Sequence, residues 1–240
     1  MKNIQEEVKP NWRETIELKR YLSLSHEVGK YDVSDAWIEW VYRMMEEHNQ
    51  SLKERSELVL LACLQGCLSG LKWLKSKECI VDWKTWEYAG YSGHLKVLEW
   101  LRDEKLPWHC QACTGAAKGG HLKVLKWLRS ERCPWNAFTS QGAALGGHLE
   151  VLKYLHSEGC PFYGEWACQA AARGGHLEVL KYLHDKGCLW DESACYEAAF
   201  EGHLEVLKYL HSEGCPWNIE QVRSCSKYDI DISNWLSKIA

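Results

Sequence analysis

A Gly-His pair returns along this chain at Gly93-His94, Gly120-His121, Gly147-His148, Gly175-His176 and Gly202-His203, with the histidines 27, 27, 28 and 27 residues apart. A fixed period of this size means a small unit stacked on copies of itself, because one such unit cannot bury its own apolar faces. The frame extends backwards, where Cys67-Leu68 with Lys72-Trp73-Leu74 precedes His94-Leu95 with Glu99-Trp100-Leu101 by 27 residues. It extends forwards in worn form, from Asp229 to Leu236. The result is six clear copies and a degenerate seventh.

The residues after each Gly-His specify a helix. In His148-Leu149-Glu150-Val151-Leu152-Lys153-Tyr154-Leu155, Leu149, Leu152 and Leu155 recur at helical spacing, Val151 and Tyr154 flank them, and Glu150 and Lys153 face water. Gly159, Gly187 and Gly214 suit the left-handed position past a helix end. Pro134, Pro161 and Pro216 prevent resumption. A second, shorter helix precedes each Gly-His. Ala116-Ala117, Ala143-Ala144, Ala171-Ala172 and Ala198-Ala199 occupy one slot, with Ala112, Thr139, Ala167 and Ala194 four residues upstream of the second Ala's predecessor. Small residues one turn apart form a stripe that lets another helix approach closely. The glycines of Gly119-Gly120, Gly146-Gly147 and Gly174-Gly175 read as turn residues repeated layer by layer.

The pattern Ala-Ala-x-x-Gly-His-Leu-Glu-Val-Leu-Lys, as in Ala171 to Lys181, resembles the ankyrin repeat, and the resemblance runs from about Ser56 to Ala240. Copies that end in Gly-Cys-Pro-Trp are similar to the short-period ankyrin proteins of giant viruses and protists. The resemblance implies an all-α solenoid of stacked helix-turn-helix units that binds proteins. Two departures accompany it. The Thr-Pro-Leu-His motif is absent, and the period is about six residues below the usual 33. The missing length falls where ankyrin repeats carry a β-hairpin, so those hairpins are expected to be reduced to tight loops or absent.

Residues 1–55 stand outside the repeat, and residues 56–240 form the array. Trp12 to Leu24 and Asp35 to Glu47 read as helices, the second with Ser34 as N-cap. These helices either cap the array or form a small docking module, such as the F-box found ahead of viral ankyrin arrays. Asn234 to Ala240 reads as a final capping helix.

Function classes narrow by composition. A net charge of -4 argues against a dedicated nucleic-acid binder. The longest apolar run, Leu58 to Leu64, is too short to span a bilayer, and the first ten residues show no secretory leader. The expectation is therefore a monomer in the cytoplasm, the host's if the source is viral. Cys79, Cys133, Cys160, Cys188 and Cys215 share one slot in successive copies. Layers about 8–10 Å apart are too distant for same-slot disulfides, so free thiols are expected. A His-to-Cys separation such as His148 to Cys160 spans a whole helix, roughly 15 Å, which is too far for one zinc ion. Cys110 and Cys113 form a Cys-x-x-Cys pair without a matching second pair. No phosphate-cradling loop, nucleophile elbow or carboxylate pair is present. The expectation is no catalytic residue, no metal and no cofactor.

His94, His121, His148, His176 and His203 are read as structural turn residues, whose rings can bond to backbone groups and, by the resemblance, tie neighbouring loops together. His156, His184 and His211, in one slot with Arg102 and Arg129, read as a solvated basic edge. Trp73, Trp100, Trp127, Tyr154, Tyr182 and Tyr209 recur in every copy and read as packing between layers, as do the loop residues Trp108, Trp135, Trp190 and Trp217.

Comparison among the copies separates scaffold from reader. The helix after Gly-His hardly changes, whereas the helix before it varies along one face. The varying positions are Lys84, Glu87, Tyr91, Gln111, Lys118, Phe138, Gln141, Trp166, Gln169, Arg173, Tyr196 and Phe200. By the resemblance this is the concave side, and these residues are expected to contact a protein partner. The leading expectation is a non-enzymatic interaction scaffold. The alternatives are a substrate-recruiting adaptor for a ubiquitin ligase and a Cys/His metal-binding protein.

Overall fold

The computed structural model describes residues 34–226 and 229–239, and among them there are helices and no strands. The helix expected over Trp12 to Leu24 lies outside these residues. So does any docking role carried there.

Seven helix pairs follow one another. They are Glu57–Gln65 with Leu68–Ser76, Trp83–Tyr91 with Leu95–Asp103, Gln111–Lys118 with Leu122–Ser130, and Ala137–Leu145 with Leu149–Ser157. Gly164–Arg173 with Leu177–Asp185, Glu192–Phe200 with Leu204–Ser212, and Ile219–Cys225 with Ile230–Ile239 complete the stack. The first helix is shorter than its partner in the third and seventh pairs, with eight residues against nine and seven against ten, but equal in others, as in Ala137–Leu145 and Leu149–Ser157 with nine each. The loops between pairs are short and irregular, in line with the loss of the hairpin.

Local chemistry starts and stops these helices. Asp82, Asn136, Asp191 and Asn218 cap first helices, each accepting a backbone N–H from two residues on. The second helices end in left-handed residues. These are Gly159, Gly187 and Gly214 in three copies, and Glu78, Lys105 and Arg132 in the same place in three others. The buried stripe of the second helix is Val151, Leu152 and Leu155, with Leu149 and Tyr154 only partly covered. Helical spacing alone puts Leu149 in the stripe and Val151 on its flank, and the structure reverses the two. This helix packs chiefly on the first helix of its own layer, and the side it turns there is centred on Val151, Leu152 and Leu155.

The small residues of the first helices are all buried, including Ala112, Thr139, Ala167 and Ala194. Helical glycines extend this stripe. A Cβ on Gly115 would lie 2.1 Å from the Glu87 carbonyl oxygen, and one on Gly90 would lie 2.4 Å from that of Ala112. Gly119 and Gly146 act the same way: a Cβ would meet the carbonyl oxygens of Tyr91 at 2.1 Å and Lys118 at 2.2 Å. In each Gly-Gly pair only the second residue has a positive φ, 76° at Gly120 and 75° at Gly147. The first is therefore a contact glycine rather than a turn glycine. First helices carry most of the contact between layers and second helices little, so the stack is tighter along its first-helix side.

Histidine ties the layers together. His94 Nε2 lies 3.0 Å from the Leu64 carbonyl oxygen, and His121 Nε2 lies 2.9 Å from that of Tyr91. His148, His176 and His203 reach Lys118, Leu145 and Arg173 of the preceding layers at 3.0 Å each. A carbonyl can only accept, so Nε2 carries the proton in every case. The ring rests against the positive-φ glycine of the layer before; a Cβ on Gly93 would fall 2.5 Å from His121 Nδ1.

Burial holds the His121 imidazole below its usual range, with the bond to the Tyr91 carbonyl acting in the opposite sense. With the folded pKa below the unfolded value, the unfolded chain binds more protons between the two. The contribution is therefore full above about pH 6.5 and is lost as pH falls from there through the folded pKa. The denaturant midpoint is expected to be lower at pH 5.5 than at pH 7.5, and His121→Asn should shrink that difference. An equal pH dependence in both proteins would contradict this assignment.

All twelve cysteines are free thiols, and nine are buried. Within layers, Cys113 lies beside Cys133, Cys168 beside Cys188, and Cys195 beside Cys215, thiol to thiol. Comparing same-slot cysteines across copies could not reveal these pairs, because each joins a first helix to the loop that ends its own layer. Among the described residues, no three His, Cys, Asp or Glu side chains converge where a metal ion could sit.

Helix Asp35–Glu47 begins at Ser34, whose hydroxyl accepts the Trp37 N–H at 3.3 Å. It buries Ile38, Val41, Tyr42 and Met45 against the first layer, with Ile38 seated over Gly70. No described helix is long and apolar enough to cross a membrane.

Candidate partner-binding face

None of the twelve varying residues is buried. Lys84, Lys118, Phe138, Trp166, Arg173 and Phe200 are exposed, and Glu87, Tyr91, Gln111, Gln141, Gln169 and Tyr196 are half-buried. Their positions follow from the N-caps: with Asn136 at the cap, Phe138 falls on the first turn of its helix, turned away from the Ala stripe.

The face divides into three zones. In the second and third layers, Lys118 lies 5.7 Å from the Tyr91 ring, and Lys84 the same distance from that of Trp83. Trp83 also meets His109 at 5.7 Å. Burial raises the Glu87 carboxyl above its usual range, and the positive charges of Lys118, His109 and Lys84 oppose that shift. In the fourth and fifth layers the face is aromatic. Phe138 stacks on Trp166 with centroids 6.1 Å apart and planes 23° apart, and Tyr163 adds a third ring 5.2 Å from Trp166. In the fifth and sixth layers, Gln169 Nε2 donates to Glu197 at 3.3 Å, and Arg173 meets Glu201 at 3.4 Å. Tyr196 stacks on Phe200 at 5.9 Å.

The structure thus pairs Tyr91 with Lys118 and Phe138 with Trp166 across layers, and Tyr196 with Phe200 within one. Gln111 and Gln141 remain half-buried between these zones. Sequence comparison missed Trp83, His109, Tyr163, Glu197 and Glu201. Tyr163 was detectable, because it falls within the one 28-residue interval. Glu197 and Glu201 gave no signal of their own.

The second-helix edge differs from the expected solvated strip. Arg129 lies 3.9 Å from the Trp135 ring, His184 3.9 Å from that of Trp190, and His211 4.7 Å from that of Trp217. The basic slot thus covers the loop tryptophan of the next layer. The second-helix aromatics do link layers, for example Tyr182 to His156 at 3.2 Å.

Stacked helix pairs, histidine ties across five successive layer boundaries and a varying first-helix face define a solenoid of short helical repeats. Residues 140–221 match the family model for ankyrin repeats, in three copies, so the chain carries ankyrin repeats over that span. No curated protein matches the chain at a significant level. Ankyrin repeats generally mediate protein–protein interaction.

Proposed function

We propose that this chain is a non-enzymatic scaffold that binds a protein partner along the concave, first-helix face. The observation that carries this reading is the exposure of large aromatic side chains on a face whose support is uniform. Phe138 is 50% exposed, Trp166 47% and Phe200 57%. Rings of this size left in water on a rigid surface are suited to anchor an interface. The polar zones on either side suit a rim, with Lys84 and Lys118 at one end and Glu197 and Glu201 at the other.

The test is affinity capture from the native cell, followed by Trp166→Ala. An interface anchor typically contributes about 2 kcal/mol or more, so partner affinity should fall roughly 30-fold. Folding should change by no more than the value of an exposed aromatic pair, about 0.5–1.5 kcal/mol. Unchanged capture by Trp166→Ala and by Phe138→Ala would exclude this face.

A further inference from the structure

The loop entering a layer carries an indole at a fixed place. Trp108, Trp135, Trp190 and Trp217 are each half-buried against the core. Each meets the aromatic of the second helix in its own layer: Trp135 with Tyr154 at 6.4 Å, Trp190 with Tyr209 at 6.1 Å, and Trp217 with Trp235 at 5.9 Å. Trp135, Trp190 and Trp217 are also met by Arg129, His184 and His211 of the preceding layer, as described above. The indole is a plug wedged between consecutive second helices.

The loop entering the fifth layer breaks this pattern in three ways. Phe162 follows Pro161 where Trp135 follows Pro134. The histidine interval grows to 28 residues. Helix Gly164–Arg173 starts after Tyr163 with no side-chain cap, whereas Asn136 and Asp191 cap the helices on either side. Phe162 stacks on His156 at 6.4 Å and stays 37% exposed. No ring contact joins Phe162 to Tyr182 among the described residues. Beside them lies a groove of about 750 Å³, lined by Leu152, Phe162, Tyr163, Tyr182, Leu183 and Leu189. His156 and Tyr182 on its wall correspond to His184 and Tyr209, which flank Trp190 one layer on.

We propose that this groove receives an aromatic side chain, an indole above all, presented by a bound protein. The chain itself identifies the occupant: four sister loops supply an indole to the equivalent place, and this one does not. Leu189, 72% exposed at the rim, offers apolar cover to the backbone that would carry such a side chain. The groove is a second site beyond the first-helix face, although Tyr163 and Trp166 border both.

The test uses the full chain and N-acetyl-tryptophanamide as probe. Amide resonances of Tyr182, Leu183 and Lys186 should shift saturably, at probe concentrations on the order of 1 mM for a ligand this small. Replacing Phe162-Tyr163-Gly164 with the Trp-Asn of positions 135–136 restores plug, cap and period together. That variant should melt about 2–4 °C higher and lose the probe-induced shifts. Phe162→Trp is the milder version and should weaken the probe at least about tenfold, as expected when a bound group is displaced. Phe200→Ala, on the first-helix face but not lining the groove, should leave probe binding unchanged, so failure of this site and failure of the first-helix face are distinguishable. Absence of a saturable shift in the unaltered chain would overturn the proposal. So would undiminished probe binding by Phe162→Trp.

Discussion

Gly115→Ala is expected to destabilise the array by about 2 kcal/mol or more, in the range for overpacking a close contact. Two effects compete at this position. Inside a helix, Gly→Ala ordinarily gains roughly 0.5–1 kcal/mol by reducing the freedom of the unfolded chain. Against that, the new methyl would lie 2.1 Å from the Glu87 carbonyl oxygen and 2.9 Å from the Tyr91 nitrogen. Both obstacles are backbone, so no side-chain rotation relieves them, and the second and third layers must separate. Gly142→Ala provides the comparison, because its nearest neighbour, the Thr114 carbonyl oxygen, lies 3.0 Å away. Chemical denaturation of the two variants should show a clear loss for Gly115→Ala and a smaller loss or a gain for Gly142→Ala. A gain at Gly115 would show that the first helices do not meet backbone to backbone.

Leu152→Ala is expected to cost about 2–5 kcal/mol, the range for truncating a buried leucine. Leu152 is 1% exposed and packs with Val151 and Leu155 on the buried side of its helix. It also floors the groove beside Phe162, so its removal enlarges a space that is already underfilled. In a stacked array each layer is supported by its neighbours, so the loss should be felt beyond the fourth layer. The contrast with Trp166→Ala is the informative one. Leu152→Ala should lower the melting midpoint strongly, whereas Trp166→Ala should lower it little and act on binding. Comparable melting of the two variants would place Trp166 in the core.

The fold was legible because the repeat fixes it. Gly-His at a 27-residue spacing located the turn, and Leu, Val and aromatic periodicity located the second helix. The first helix is legible through its alanines, but the role of Gly90, Gly115 and Gly142 as contacts between helices is not, because a contact has no pattern within one copy. The candidate face was partly legible. Differences among copies found Phe138, Trp166 and Phe200, but could not find Glu197 and Glu201, whose roles come from lying across a layer boundary from Gln169 and Arg173. The fifth-layer groove was visible only as one extra residue and a Phe in place of Trp. A volume left unfilled has no residue of its own to announce it. The thiol pairs are silent in the repeat pattern because each joins two different slots of one layer.

The histidine ties have a consequence for elasticity. Each links residues 30 or 31 positions apart, from His94 with Leu64 to His203 with Arg173. Each described tie joins a layer to the one before it. A load applied at the two ends would therefore pass through the ties in series, like tension along a chain of clasps. The weakest clasp would open first while its neighbours held. Each opening would release about one repeat of polypeptide, which extends to roughly 90 Å at about 3.3–3.6 Å per residue. The molecule would lengthen in equal steps and could re-form one layer at a time on whichever neighbour remained folded.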